Sequence, residues 1–338
     1  MKIENIKIPN LGISKRFDRV TWLTDDKDRD ILIDAVKKSI SFVFSSDRRV
    51  CEEGLHSVAS GTGPSMKMDK IGTEEVARYG GKVDIYAFAD FLGEKFNWRI
   101  HKNPSRNGGY PEFSKYVKAL EFLSDKFNSG YDYPVLKVYD NEFPTDKVEK
   151  IDRYLKTYKE IIEDCRGYLL RNLGYHWWSD GNSNIFSWGA RLFIMSFRQS
   201  KRIEGNDISI LPIDSEGNLL IDKINRFLRI VGEDIKVLYF RIDPEEHYGK
   251  EIGLVSSDSS GCWTFRKVFD LRDGLDKSIY LIIDLVYREL FLWGGNLESD
   301  SGGIVVLEDF LVDLQPERRR NIIEAMIKVF SNIQFIIK

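Results

Sequence analysis

"GGIVVLEDFLVDLQPERRR" occupies residues 302–320 and decides how the rest of the chain is read. Ile304, Val305 and Val306 are β-branched, Leu307 extends the apolar run, and two acids, Glu308 and Asp309, follow at once. A short apolar run rich in β-branched residues and closed by polar ones predicts a buried strand over 304–307. Pro316 suits the first turn of a helix, where its missing N–H costs nothing. "PERRRNIIEAMIKVFSN" (316–332) then has apolar residues at helical intervals, and "IQFII" (333–337) returns to strand. The unit is strand, acid pair, loop, basic helix, strand. Its two carboxylates are hard oxygen donors of the kind magnesium takes.

The chain has 338 residues, 42% of them apolar, and a net charge of −3, so it suits one large globular domain or two modest ones. With charges nearly balanced, no global field favours nucleic acid or an acidic membrane, and only a local patch could. Cys51, Cys165 and Cys262 are far apart and odd in number, which fits reduced thiols better than disulfides or zinc. His56, His101, His176 and His247 are likewise scattered, against a zinc site or a histidine-centred triad. "MKIENIKIPNLG" lacks the apolar core of a signal peptide, and no apolar run has bilayer length. The expectation is a cytoplasmic protein with no membrane partner.

Residues 2–8, "KIENIKI", alternate as a half-buried strand does, and "DRVTWL" (18–23) predicts a second strand. The polar "TDDKDRD" follows, then a helix over "ILIDAVKKSISFVF" (31–44). Loops are expected over 45–80, a hairpin over 82–102, an amphipathic helix over 111–130 and a strand over 133–140. Residues 145–174 predict a helix, and 175–202 a packed aromatic region around Trp177, Trp178 and Trp188. The alternative use of those tryptophans is a partner surface. Further on come a helix (218–232), strands at 235–243 and within 251–268, and an apolar helix over 274–294.

In register and order, 303–337 resembles the Walker B region of ABC-type P-loop ATPases of the SMC and recombination-repair, AAA-like branch. Such proteins are common in bacterial antiphage systems. The resemblance implies an α/β fold: a P-loop NTPase head, its mixed sheet flanked by helices, with a helical lobe. It implies one domain over 1–338. The N-terminal lobe would span 1–140, a helical insert 141–235, and the C-terminal lobe 236–338.

It also implies a phosphate-binding loop between the second strand and the first long helix, where "TDDKDRD" stands. Asp26 and Asp28 take the places of glycines, Arg29 that of the lysine, and Asp30 that of the Ser/Thr. Carboxylates there face a polyanion. At about 4 Å, two unit charges repel by about 1 to 4 kcal/mol between water-like and surface-like dielectrics. The signature loop falls at Leu271 and Gly274, with Arg272 in place of its serine and Asp273 beside it. Asp284 and Arg288 agree with the family's following helix. At the Walker B position the acids stand in the order Glu308, Asp309, the reverse of the family's, and Leu311 replaces the acid expected in the next loop.

Taken singly, each motif has a plain reading. Glu308–Asp309 is a solvated strand end, "DDKDRD" a surface loop, and Arg318, Arg319 and Arg320 a charged helix start. Taken together they imply a catalytically inactive ATPase-like scaffold or regulatory subunit with no bound cofactor. Its setting would be an antiphage defence or nucleic-acid-processing complex. It would pair as a homodimer, or with an active ATPase or an effector nuclease, and reach nucleic acid through that complex. One alternative is a divergent ATPase holding ATP and Mg2+ on Glu308 and Asp309, with Arg29 serving as the lysine. Another is a nucleic-acid-binding module using basic helix faces such as 315–328, with Arg318, Arg319 and Arg320, and 196–202.

Overall fold

The structure, a computed structural model, describes residues 1–23, 27–44, 77–102, 113–139, 208–209, 217–231, 237–241, 251–257, 263–267, 274–293 and 301–338. The expected helix over 145–174 and the aromatic segment at 175–202 lie outside these residues.

Three four-stranded sheets organise the described chain. The first has the order β2 (Ile13–Arg16), β1 (Lys2–Ile8), β4 (Val83–Phe91), β5 (Glu94–Lys102) and is antiparallel throughout. Its alternation decides what it buries. Ile3, Ile6, Val83, Ile85, Ala87, Trp98 and Ile100 are buried, while the residues between them face away. The β4–β5 turn falls at Leu92 and Gly93, both at positive φ (56° and 83°), the conformation a two-residue hairpin needs. The Gly93 N–H donates to the Asp90 carboxylate at 3.0 Å and fixes that turn.

Two helices cover the inner face of this sheet. They are α1 (Arg29–Phe44), which buries Leu32, Val36 and Ile40, and α2 (Phe113–Asn128). The Trp98 indole donates to the Ser39 carbonyl at 3.0 Å, so this large buried ring leaves no donor unsatisfied. Helix α2 ends at Gly130, whose φ of 88° supplies the left-handed step that turns the chain back.

The second sheet is fully parallel, in the order β3 (Val20–Trp22), β12 (Ile333–Ile337), β11 (Gly303–Leu307), β6 (Val135–Tyr139). Every residue of β6, β11 and β12 is buried, as expected of parallel strands covered on both faces. The crossover between β11 and β12 is α5 (Pro316–Val329), whose Ile322, Ile323, Ala325, Met326 and Val329 are buried. Strands β3 and β6 come from the predicted N-terminal lobe and β11 and β12 from the C-terminal one. The described parts of the two lobes therefore share one sheet.

The third sheet, β10 (Trp263–Lys267), β9 (Glu251–Ser257), β8 (Val237–Arg241), β7 (Ile208–Ser209), is antiparallel. Helices α3 (Gly217–Ile230) and α4 (Leu275–Leu292) pack against each other and against α5. Among the described residues no helix is long and apolar enough to cross a membrane.

Candidate functional site at the carboxyl end of the parallel sheet

In open α/β sheets, ligands gather beyond the carboxyl ends of parallel strands. Here β3 and β11 are separated by β12, so the loop after β3 and the acids after β11 come to the same end of the sheet. Register sets the position closely. The Glu308 N–H donates to the Tyr139 carbonyl at 2.8 Å, and the Lys338 N–H donates to the Leu307 carbonyl at 3.0 Å.

The side chains at this end form an ion-paired centre of three acids and two lysines. Lys37 of α1 pairs with Glu308. The Lys338 ammonium lies 2.9 Å from Asp30, 3.2 Å from Asp309 and 3.6 Å from Glu308. Partial burial works against the charge on Lys338, but its bonds to Asp30 and Asp309 outweigh that and raise its pKa. The same contact holds the Asp30 carboxyl below the usual range. Among the described residues, no group of three or more His, Cys, Asp or Glu side chains is placed to hold a metal ion.

Helix α1 opens into this centre. Its first turn begins with the Leu32 N–H donating to the Asp28 carbonyl at 2.9 Å, and it carries the acid Asp30. The positive end of a helix dipole attracts anions, and here the chain supplies the anion itself. Arg29, at the position expected of a phosphate-binding lysine, is about half exposed and has its Nε 3.9 Å from Asp30. The cations ion-paired with Glu308 and Asp309 are Lys37 and Lys338 instead.

The loop after β11 is wound tightly. Asp309 and Leu311 both have positive φ, 52° and 57°. Aspartate tolerates that region, whereas for leucine it costs about 1 to 2 kcal/mol. Packing holds Leu311 there: it is buried, and it seats against Gly274 at the start of α4. A Cβ on Gly274 would meet Leu314 Cδ1 at 2.5 Å and Leu311 Cδ2 at 2.9 Å, and its own φ is +70°. Gly274 thus joins the predicted signature position to the acid-bearing loop.

Behind the exposed charges lies a buried polar group. The Tyr139 hydroxyl donates to Asp284 Oδ2, and Arg288 Nε donates to the same oxygen at 2.8 Å. Asp284 Oδ1 is buried with no hydrogen-bond partner. One turn along α4, buried Glu289 pairs with Lys223 of α3. Burial pushes its carboxyl up to about 7, against the attraction of that lysine.

The arginine triplet divides. Arg319 turns inward, donating to the Phe310 carbonyl at 2.8 Å and to the main-chain oxygen of Lys338 at 2.6 Å. Partial burial lowers its pKa, opposed by nearby Asp309. Arg318 donates to the Val231 carbonyl at 3.4 Å, and Arg320 pairs with Glu324 at 2.9 Å. The three do not make one basic face. Asp26 and Leu271, and residues 196–202, lie outside the described residues.

Sequence reading placed Asp30, Glu308 and Asp309 at one site but missed Lys37, Lys338 and Tyr139. One signal was available for Lys37: it lies seven residues after Asp30, two turns along the same helix face.

No family model matches the chain, and no curated protein matches it. Among solved structures it is similar to an SMC head bound to the C-winged helix domain of ScpA. That match has 12% identity and a TM-score of 0.43, covering 100% of this chain and 89% of that one. It is also similar to the SMC head domain from Thermotoga maritima, at 11% identity and TM-score 0.41, covering 100% and 88%.

Proposed function

We propose that this chain is an ABC-ATPase-like head whose nucleotide position is filled by its own ion pairs, and that it works as a scaffold or regulatory subunit. One observation carries the reading. Lys37 and Lys338 between them neutralise the acids Asp30, Glu308 and Asp309 at the shared carboxyl end of β3 and β11.

Magnesium and ATP do not fit the residues present. The carboxylate oxygens that magnesium would take already face ammonium groups, and displacing those groups would strip charged partners from three acids at once. The first turn of α1, where phosphates would meet N–H groups, carries the Asp30 carboxylate, which repels them. No catalytic step is therefore drawn through either group.

The assembly proposed is a homodimer, or a complex with an active ATPase or effector nuclease, in antiphage defence or nucleic-acid processing. This setting rests on the resemblance of 303–337 alone.

Titration calorimetry with ATP and magnesium is the test, and no heat of binding is expected. Magnesium-dependent affinity in the micromolar range would overturn the proposal. It would favour the divergent ATPase instead, whose turnover should vanish in the double variant Glu308→Gln, Asp309→Asn.

A further inference from the structure

We propose that the loop after β11, residues 308–314, is a two-position latch. The acid–lysine centre holds it shut, and Leu311 passes its state to the start of α4. The inference deepens the reading of that centre and rests on its ion pairs, whether or not nucleotide binds.

The loop is anchored in two different ways. Its start is held by polar groups: Glu308 pairs with Lys37, and Asp309 lies 3.2 Å from the Lys338 ammonium. Arg319 Nε holds the Phe310 carbonyl at 2.8 Å, and its Nη2 holds the main-chain oxygen of the same Lys338 at 2.6 Å. Farther along, packing takes over. Leu311 is buried, Leu314 is partly buried, and both seat against Gly274.

Between and at these anchors the backbone is strained. Asp309 and Leu311 sit at φ 52° and 57°, and a leucine keeps that conformation only while its surroundings enforce it. The two anchors differ in how readily they open. Asp309 is more than half exposed and Glu308 partly so, which leaves their ion pairs open to salt and to competing charges. Leu311 is shielded from both. Opening therefore starts at the charged end. Once that end is free, Leu311 relaxes to negative φ and its side chain leaves Gly274.

Gly274 is where that movement is felt. Its φ is +70°, and the two leucines fill the space a side chain would need there. Its carbonyl accepts the Ser278 N–H at 3.0 Å and the Ser278 hydroxyl at 2.6 Å, so it closes the first turn of α4. Leu311 thus bears on the residue that starts the helix. Packed contacts with two discrete arrangements carry coupling of this kind between neighbouring sites.

The test is amide hydrogen exchange of the full chain, read by mass spectrometry on peptides covering 308–314 and 274–279. Lys338→Met should speed exchange in both peptides by roughly threefold to tenfold, while α2 on the first sheet keeps its rate. In Leu311→Gly the residue adopts its φ without strain and has no side chain to press on Gly274. Adding Lys338→Met to that variant should still loosen 308–314 but leave 274–279 unchanged. Unaltered exchange of 308–314 in Lys338→Met would overturn the proposal, as would an equal response of 274–279 with and without the Leu311 side chain. Should Leu311→Gly fail to fold, Lys338→Met alone decides: a loosened loop beside an unchanged 274–279 would refute the transmission. ATP affinity in calorimetry would refute the proposed function and leave these exchange outcomes as they stand.

Discussion

At the amino ends of β11 and β12 the parallel sheet is tied by a buried neutral amide, and at their carboxyl ends by a cluster of acids and lysines. Gln334 closes the amino end: its amide donates to the carbonyls of Ile3 at 2.8 Å and Asp18 at 2.9 Å, while its oxygen accepts the Ile3 N–H at 2.8 Å. Beside it, Gly302 and Gly303 let backbones touch, since a Cβ on them would overlap the Asn332 and Val135 carbonyl oxygens. The carboxyl end has two layers, the exposed acid–lysine centre and the buried Tyr139–Asp284–Arg288 group behind it. A sheet needs only the first kind of closure for stability. Charges collected at the other end cost desolvation, which their partners must offset. That contrast supports the proposed placing of the site at the carboxyl end.

The contrast breaks most readily at the buried layer. Asp284→Ala leaves the Arg288 guanidinium buried beside a cavity, and removing one member of such a pair costs about 3 to 5 kcal/mol. Urea unfolding should show this as a lower midpoint. A loss under about 1 kcal/mol would mean that the buried group is no part of the frame behind the acids.

Glu289 gives the next largest effect, and it depends on pH. Its carboxyl is raised from 4.5 to about 7 in the fold, so the native state keeps a proton that the unfolded chain releases. Stability from this group is therefore fully present below pH 4.5 and is lost as pH rises to about 7, by up to about 3 kcal/mol. Glu289→Gln should flatten the unfolding midpoint across that window. An unchanged pH profile would refute the assignment.

Gln334→Leu tests the neutral end. It leaves the Ile3 N–H and two carbonyls without their partner, a loss of about 2 to 3 kcal/mol. No dependence on salt is expected, because no charge is involved.

Much of this frame was legible in sequence. The hairpin expected over 82–102 is Val83–Lys102, and the helix expected over 111–130 is Phe113–Asn128, because alternation and helical periodicity are local signals. Strand β2, "ISKR", was not read, being too short and polar to show a pattern. The acids of the site were legible because they follow an apolar run. Their partners were not, since Lys37 meets Glu308 across 271 positions of the chain and only the insertion of β12 between β3 and β11 brings them together. The separate roles of the arginine triplet were hidden for a related reason: identical neighbours on a helix point in three directions, and the fold gives each a different acceptor.

The smallest stability effect is expected at the exposed layer. Replacing Lys37 and Lys338 with Met removes partly exposed ion pairs, each worth about 0 to 1 kcal/mol, so the unfolding midpoint should barely move. Their loss nevertheless leaves Asp30, Glu308 and Asp309 repelling one another at one end of the sheet. Midpoint stability should therefore become sensitive to ionic strength, rising with added salt in the variant more than in the parent chain. Equal salt dependence in the two proteins would show that the lysines do not neutralise this centre, and the contrast between the two ends of the sheet would lose its electrostatic half.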